Sequence, residues 1–401
     1  MLELSGKFEV LRGPVDEEER QLLKISTNRH LPKAIARDCA YLCTSGEIPA
    51  GFRAYLALSD SKSVLDAIPA PAPTAVLPDS AAFLRDGDII RLSPRSRSYR
   101  VLFRANSRHN SLLLTERCNH YCLMCSQPPR DINDDWVMDD VERLIPMLPI
   151  GTRELGFTGG EPTLYGARFI HLLEQTKRLL PRTAIHVLSN GRRFADSEFA
   201  EAYAEVRHPD LMVGIPVYSD DPVRHNYVVQ ADNAFEETVS GILNLKRLCQ
   251  RVELRVVLHR QTIDRLPHLA EFIARNLLFV DQVALMGLEI SGFTKGNLTK
   301  LWVDPYEYRE TLDSAVRILA SYQIPVAVYN HQLCTVTERV RALCVRSISD
   351  WKNEYLPECA PCKLRTQCGG FFSSAVRHKR SDYVSPLTTV PTLHGDGNVR
   401  P

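Results

Sequence analysis

Three cysteines, Cys118, Cys122 and Cys125, share one short loop in CNHYCLMC, directly after the apolar run at Leu112–Thr115. Thiolates are the ligands that favour iron–sulfur clusters and zinc. Three of them on a tight loop can hold three irons of a cubane cluster and leave the fourth iron open to an exogenous molecule. Structural zinc is the rival chemistry. It wants four ligands, and His120, inside the loop, is the available fourth. A second group lies nearer the C-terminus, where Cys359, Cys362 and Cys368 are separated by gaps of two and five residues and Cys334 precedes them in NHQLC. Four thiolates suffice for one [4Fe–4S] cluster and also make a good zinc site. Cys344 is an alternative fourth ligand, or a buried thiol.

The whole chain bounds these readings. Its 401 residues allow two or three domains, and 44% hydrophobic with 24% charged residues is ordinary for a soluble globular protein. A net charge of +1 gives no global basic field for nucleic acid. No signal-peptide pattern opens MLELSGKFEVLRG, and no apolar run is long enough to span a membrane. Eleven cysteines, an odd number without an export signal, point to reduced thiols in the cytoplasm. Cys39 and Cys43, spaced like one helical turn, and Cys249, on the apolar side of an expected helix, read as buried thiols.

The elements that must position the cysteines follow from periodicity. Strands are expected at Ser111–Thr115, Glu154–Thr158, Ala184–Ser189, Leu211–Val217, Glu253–Leu258 and Gln282–Leu288. Helices are expected near 138–148, 166–180, 195–206, 234–249, 265–276 and 305–322. This alternation predicts an α/β fold, a partial (β/α)6 TIM-type barrel, with site residues at the C-terminal ends of the strands. Residues 1–107 form a leading α+β region that runs through a Pro/Ala stretch, with a hairpin expected around LRDGDIIRL. Residues 108–325 make the core, 326–376 the second cysteine region, and 377–401 a loose tail.

Four strand ends carry further candidates. The second expected strand closes on FTGGEPTL, where Gly159 and Gly160 let backbone approach a ligand closely. The third closes on LSNGRRF, placing Ser189 and Asn190 before a turn glycine. The fourth runs into PVYSDDPVRHNYV, with Ser219 and Asp220 as candidates and Arg224 and His225 read as solvated loop residues. The sixth leads to MGLEISGFTKGN, where Glu289 and Lys295 either face the site mouth or form surface salt bridges.

CxxxCxxC after a first strand, with TGGEPTL one strand later, resembles the radical S-adenosylmethionine (SAM) superfamily. The resemblance implies a SAM-binding [4Fe–4S] cluster on Cys118, Cys122 and Cys125. It also implies that Gly159, Gly160 and Glu161 meet the amino group of SAM, and that Ser189 and Asn190 lie near its ribose or carboxylate. Two departures are visible: Met124 stands where an aromatic is commoner, and Asp221 stands where an SxDG-type segment has glycine. The second cysteine group resembles the auxiliary-cluster region of SPASM or twitch proteins, with Cys334, Cys359, Cys362 and Cys368 as implied ligands of an auxiliary [4Fe–4S] cluster. The strings CNHYCLMCSQPP, FTGGEPTL, MGLEISGFTKGN and SISDWKNEYLPECAPC…CGGFF together resemble the C-type radical SAM maturase of the His-Xaa-Ser system.

That resemblance implies an enzyme that cleaves SAM to a 5′-deoxyadenosyl radical and modifies a precursor peptide with His-Xaa-Ser repeats. It implies as partners a second radical SAM maturase and an electron donor of flavodoxin or ferredoxin type, with neither nucleic acid nor membrane. Residues 1–107 are a candidate grip for the peptide through an exposed strand edge. The alternatives are a radical SAM enzyme acting on a nucleobase or cofactor precursor, and a non-catalytic iron–sulfur or zinc protein.

Overall fold

The computed structural model describes residues 4–13, 20–43, 47–59, 65–68, 72–346 and 353–389. The string SISDWK, part of the Pro/Ala stretch and residues 390–401 lie outside the described residues. The chain divides into two compact units. The first comprises Met1–Asn119, Pro129–Gly214 and Arg247–Gln250; the second comprises His120–Pro128, Ile215–Lys246 and Arg251–Pro401.

The first unit opens with a mixed sheet. Its strands are β1 (Ser5–Lys7), β2 (Val10–Arg12), β3 (Gln21–Ser26), β4 (Cys39–Cys43), β5 (Ala54–Leu58), β6 (Thr74–Leu77), β7 (Ile89–Ser93) and β8 (Ser98–Phe103), in the order β1-β8-β7-β3-β4-β5-β6-β2. Strand β4 shows why. Successive side chains point to opposite faces. Ala40 and Leu42 therefore join one core with Leu23, Ile25 and Leu56, while Cys39, Tyr41 and Cys43 join another with Phe52, Tyr55 and helix α1 (Lys33–Ala36). The four-residue spacing of Cys39 and Cys43 is thus a strand repeat, not a helical turn, and both thiols are buried. The hairpin is β7–β8, turning at Pro94–Arg97. The expected Asp-Gly-Asp turn lies one strand edge earlier, where the buried Asp88 carboxylate accepts from Arg85 N at 2.9 Å and Ala105 N at 2.8 Å.

The rest of the first unit alternates strand and helix: β9 (Asn110–Leu113), α2 (Asp135–Leu144), β10 (Glu154–Thr158), α3 (Ala167–Leu179), β11 (Ala184–Leu188), α4 (Ser197–Glu205) and β12 (Leu211–Pro216). Strands β9 to β12 pair in parallel in chain order. The leading sheet clamps α2. Arg20 and Arg91 both lie over the Trp136 ring, at 4.4 and 4.6 Å from its centroid, and Arg91 pairs with the buried Asp140 at 3.2 Å. Removing residues 1–107 would uncover Trp136 and take Arg20 and Arg91 from the buried Asp140, leaving it the more distant Arg143 at 3.9 Å. The leading region therefore cannot be deleted without disturbing the core.

The second unit continues from the end of β12, where Val217 N donates to Arg255 O at 3.2 Å. It contains α5 (Pro222–Val229), α6 (Ala234–Arg247), β13 (Arg251–Leu258), α7 (Leu266–Asn276), β14 (Gln282–Gly287), α8 (Phe293–Gly296), α9 (Leu298–Leu301), α10 (Arg309–Ser321), β15 (Val326–Tyr329), α11 (Glu338–Arg341), β16 (Cys344–Val345) and α12 (Ser373–His378). Strands β13 to β16 are again parallel and in chain order. The fold is the expected α/β partial barrel, with β15 and β16 added after the six strands legible from periodicity.

Three expectations change here. Residues 377–389 are docked: Ser381 Oγ donates to the buried Asp304 at 2.6 Å, Tyr383 stacks on Tyr306, and Lys363 N donates to Leu387 O at 3.0 Å. Their polar composition hides contacts that are mostly polar. Cys249 is exposed, because α6 ends before it and its backbone turns to a φ of 57°. Residues 222–229 form helix α5 rather than a loop. Asp221 caps it by accepting from Val223 N at 3.0 Å, a task glycine cannot perform.

Candidate metal centre

In the first unit the site grows from the C-terminal ends of β9, β10 and β11. Gly160 N donates to Thr115 O at 2.7 Å and Glu161 N donates to Arg117 O at 2.8 Å, so the chain leading to Cys118 lies along the end of β10. A Cβ on Gly159 would overlap the Thr115 carbonyl oxygen, and one on Gly160 would overlap that of Arg117. The glycine pair is therefore required first by this close approach. The exit of β9 is held from the other side by the buried Asp134, which accepts from Thr115 Oγ1 at 3.0 Å and Glu116 N at 2.5 Å and pairs with Arg117 Nε at 3.1 Å.

Glu161 braces the next strand end. Its carboxylate is fully buried and accepts from Thr163 N (3.0 Å), Thr163 Oγ1 (2.6 Å), Ser189 Oγ (2.8 Å) and Asn190 N (2.6 Å). Burial pushes its pKa up, against the pull of these hydrogen bonds. Asn190 Nδ2 then donates to Asn119 Oδ1 at 2.6 Å, beside Cys118. The structure thus gathers Gly159, Gly160, Glu161, Ser189, Asn190 and Cys118 at adjacent strand ends, with three of Glu161's hydrogen bonds falling on Oε1 and one on Oε2. Glu161→Gln puts an amide donor where at least one of these donors points. It is expected to lower stability by about 1–3 kcal/mol, measured by thermal unfolding.

The second unit holds the remainder of the cysteine loop. Tyr121 N donates to Val229 O (3.0 Å) and Leu123 N to Val228 O (2.9 Å), tying the loop to α5. Leu123 and Met124 are buried with Tyr218, Val228, Val229 and Leu301. Met124 thus serves as core, which is how the position dispenses with an aromatic. The loop carbonyls are tied down in turn: that of Leu123 accepts from Asn297 Nδ2 (2.9 Å), that of Met124 from Thr294 Oγ1 (3.2 Å), and that of Cys125 from Phe293 N (2.9 Å). Gly292, at a φ of 52°, sits where a Cβ would meet Ser126 O at 2.6 Å. Sequence reasoning chose charged Glu289 and Lys295 in this segment and missed Gly292, Thr294 and Asn297. A glycine and two uncharged hydrogen-bonding residues in SGFTKGN were the available signal.

The other candidates have structural employment. Asp220 is gripped by the Arg265 guanidinium, with Nε at 3.0 Å; burial would raise its pKa, but the Arg265 hydrogen bonds hold it below the usual carboxylate range. Arg224 pairs with Asp264 at 2.5 Å, and His225 is wholly buried, its Nδ1 accepting from Tyr218 N at 3.2 Å. Neither is the solvated loop residue expected.

The second cysteine group assembles within the second unit. Cys334, Cys359, Cys362 and Cys368 line one pocket, together with Tyr355, Phe371 and Pro386. Cys344 does not line it and donates its thiol to Val340 O at 3.4 Å. Among the described residues no group of three or more His, Cys, Asp or Glu is drawn tightly enough to enclose a single ion. Both cysteine sets fit thiolate-bound clusters in their donor chemistry.

Residues 112–273 match the Radical SAM superfamily. The chain carries a radical SAM domain. The match begins on β9, takes in the three-cysteine loop, TGGEPTL and the Ser189–Asn190 turn, and ends within α7. No curated protein matches the sequence. Among solved structures, the chain is similar to Streptococcus suis SuiB bound to S-adenosylmethionine, at 14% identity and a TM-score of 0.45, covering 57% of this chain and 51% of SuiB. It is similar to anSMEcpe with bound AdoMet at 17% identity and a TM-score of 0.43, covering 54% and 63% of the two chains. A domain of a pyruvate-formate lyase-activating enzyme from Bacteroides vulgatus aligns at 17% identity and a TM-score of 0.35, covering 43% of this chain and 96% of that one. The aligned part thus spans about half the length of SuiB. Among the described residues no helix is long and apolar enough to cross a membrane.

Proposed function

We propose that this chain is a cytoplasmic radical SAM enzyme that modifies a peptide, and that the peptide carries His-Xaa-Ser repeats. The observation that carries the reading beyond the domain is the gathering of Cys334, Cys359, Cys362 and Cys368 around one pocket. A minimal radical SAM enzyme acting on a small molecule has no need of a second thiolate set. The four strings resembling the His-Xaa-Ser system maturase supply the substrate class.

In this reading Cys118, Cys122 and Cys125 hold the SAM-binding cluster. Main-chain groups of Gly159–Glu161 and the Ser189–Asn190 turn orient SAM, and the Asn297, Thr294 and Phe293 tie-downs keep the loop from shifting. The cluster they would hold would supply the one-electron reduction for cleaving SAM, and SAM would supply the 5′-deoxyadenosyl group for hydrogen-atom abstraction. A flavodoxin or ferredoxin type donor provides the electron, and a second radical SAM maturase accompanies this one. Burial of Leu123 and Met124 beside the loop keeps water from its inner side, which protects a reactive intermediate from side reactions.

The test is mass spectrometry of a His-Xaa-Ser repeat peptide co-expressed with the protein. Loss of two hydrogens per event identifies a crosslink, and unchanged mass with altered stereochemistry after hydrolysis identifies epimerisation. A peptide unaltered by both criteria, with 5′-deoxyadenosine still formed, removes the peptide reading and keeps the radical one. The cysteine pocket has its own test. Cys359→Ala with Cys362→Ala is expected to lower reconstituted iron by about four per chain, whereas Cys344→Ala leaves iron unchanged, by colorimetric iron and sulfide assay.

A further inference from the structure

A second pocket of the second unit shares a wall with the cysteine pocket. It is formed where β14 and β15 end, at Gly287 and Asn330, and its sides are Trp302, Phe372, Lys379 and Arg380. Gln332, Gly370 and Phe371 line both pockets, and Gln332 Nε2 donates to Gly370 O at 2.8 Å across that partition. The space is small, with about 40 Å³ open to water-sized groups, enough for one small polar group rather than a whole residue.

Its charge is one-sided. Among the described residues no carboxylate lines it. The nearby Asp304 is buried and fully engaged, accepting from Ser381 Oγ, Asp382 N and Tyr306 N at 2.6, 3.0 and 2.9 Å. Lys379 reaches the exposed Asp382 at 3.4 Å, a surface pair of little strength. Arg380, by contrast, makes no ion pair or hydrogen bond among the described residues. A planar guanidinium left unpaired at the rim of an aromatic-walled pocket is built to take a planar anion with two oxygens.

We infer that this pocket binds a carboxylate of the peptide substrate through Arg380, with Lys379 in support, and so seats the peptide against the partition with the cysteine pocket. The inference rests on the peptide reading above. The carboxylate is that of an Asp or Glu side chain or of the peptide's own C-terminus.

The test uses the reconstituted full chain and fluorescein-labelled His-Gly-Ser repeat peptides in three forms: free C-terminal carboxylate, C-terminal amide, and amide with one internal Glu. Anisotropy titration is expected to show wild type binding one or both carboxylate forms at least tenfold more tightly than the plain amide, with the preference weakening as salt rises. Arg380→Gln is expected to erase that preference while the melting temperature and 5′-deoxyadenosine formation stay as in wild type. Preference for the free C-terminus identifies the terminal carboxylate; preference for the internal Glu identifies the side chain. Equal binding of all three forms, or a preference that survives in both Arg380→Gln and Lys379→Gln, overturns the carboxylate site and leaves the peptide reading standing. Absence of binding by every peptide overturns both, and 5′-deoxyadenosine formation then still reports on the radical SAM domain alone.

Discussion

Joint replacement of Cys118, Cys122 and Cys125 by alanine is expected to abolish 5′-deoxyadenosine formation from SAM under a strong reductant, to below a thousandth of the wild-type rate. Each thiol is half-buried, and each sits on a loop whose backbone is fixed by hydrogen bonds elsewhere: Arg117 O to Glu161 N before the first, and Cys125 O to Phe293 N after the last. The substitutions remove sulfur without removing these ties, so the fold should survive and the melting temperature should move by only a few degrees. With the second thiolate set intact, about four irons per chain should remain. Product formation by the triple variant at the wild-type rate would refute a radical SAM assignment for this loop. Loss of all iron would show instead that the second set holds no cluster of its own.

A single methyl group at position 160 should be nearly as damaging. Gly160→Ala places a Cβ in the Arg117 carbonyl oxygen and within 3.1 Å of the Cys118 Cβ. Both neighbours are backbone or next to it, and two hydrogen bonds hold that backbone in place, so neither can give way by a rotamer change. The strand end must part from the loop, with an expected cost of about 2–4 kcal/mol, in the range of severe steric substitutions. Cys118 moves with it. Iron in the SAM-binding site should fall at least tenfold, read by iron counts on the variant lacking the second cysteine set, and thermal unfolding should show the loss of stability. Gly151→Ala, whose Cβ meets nothing within 4 Å at a backbone conformation open to any residue, separates crowding from glycine loss in general.

What the sequence made legible follows from how local each signal is. The six core strands and their helices fall within a few residues of expectation because buried parallel strands and amphipathic helices announce themselves in single windows. The cysteines and the glycine pair are legible because few residue types can do their work. The docking of residues 377–389 was not legible, since Ser381 and Tyr383 find their partners about eighty residues away in Asp304 and Tyr306. The purpose of Glu161 was hidden for a similar reason. A carboxylate at a strand end reads as a ligand, and only the fold reveals that Ser189 and Asn190 reach it first. Thr294 and Asn297 escaped notice because uncharged side chains that bind a distant carbonyl leave no pattern around themselves.

The clamp on α2 bears on how the chain matures at the ribosome. The sheet carrying Arg20 and Arg91 emerges before Trp136 and Asp140, and domains generally fold as units in the order of synthesis. A preformed cationic surface thus awaits the first helix of the domain. Asp140 is buried with its counter-charge already in place, and Trp136 need not linger in solvent, where an exposed aromatic invites aggregation. The leading sheet acts as a built-in nurse for the domain that follows it.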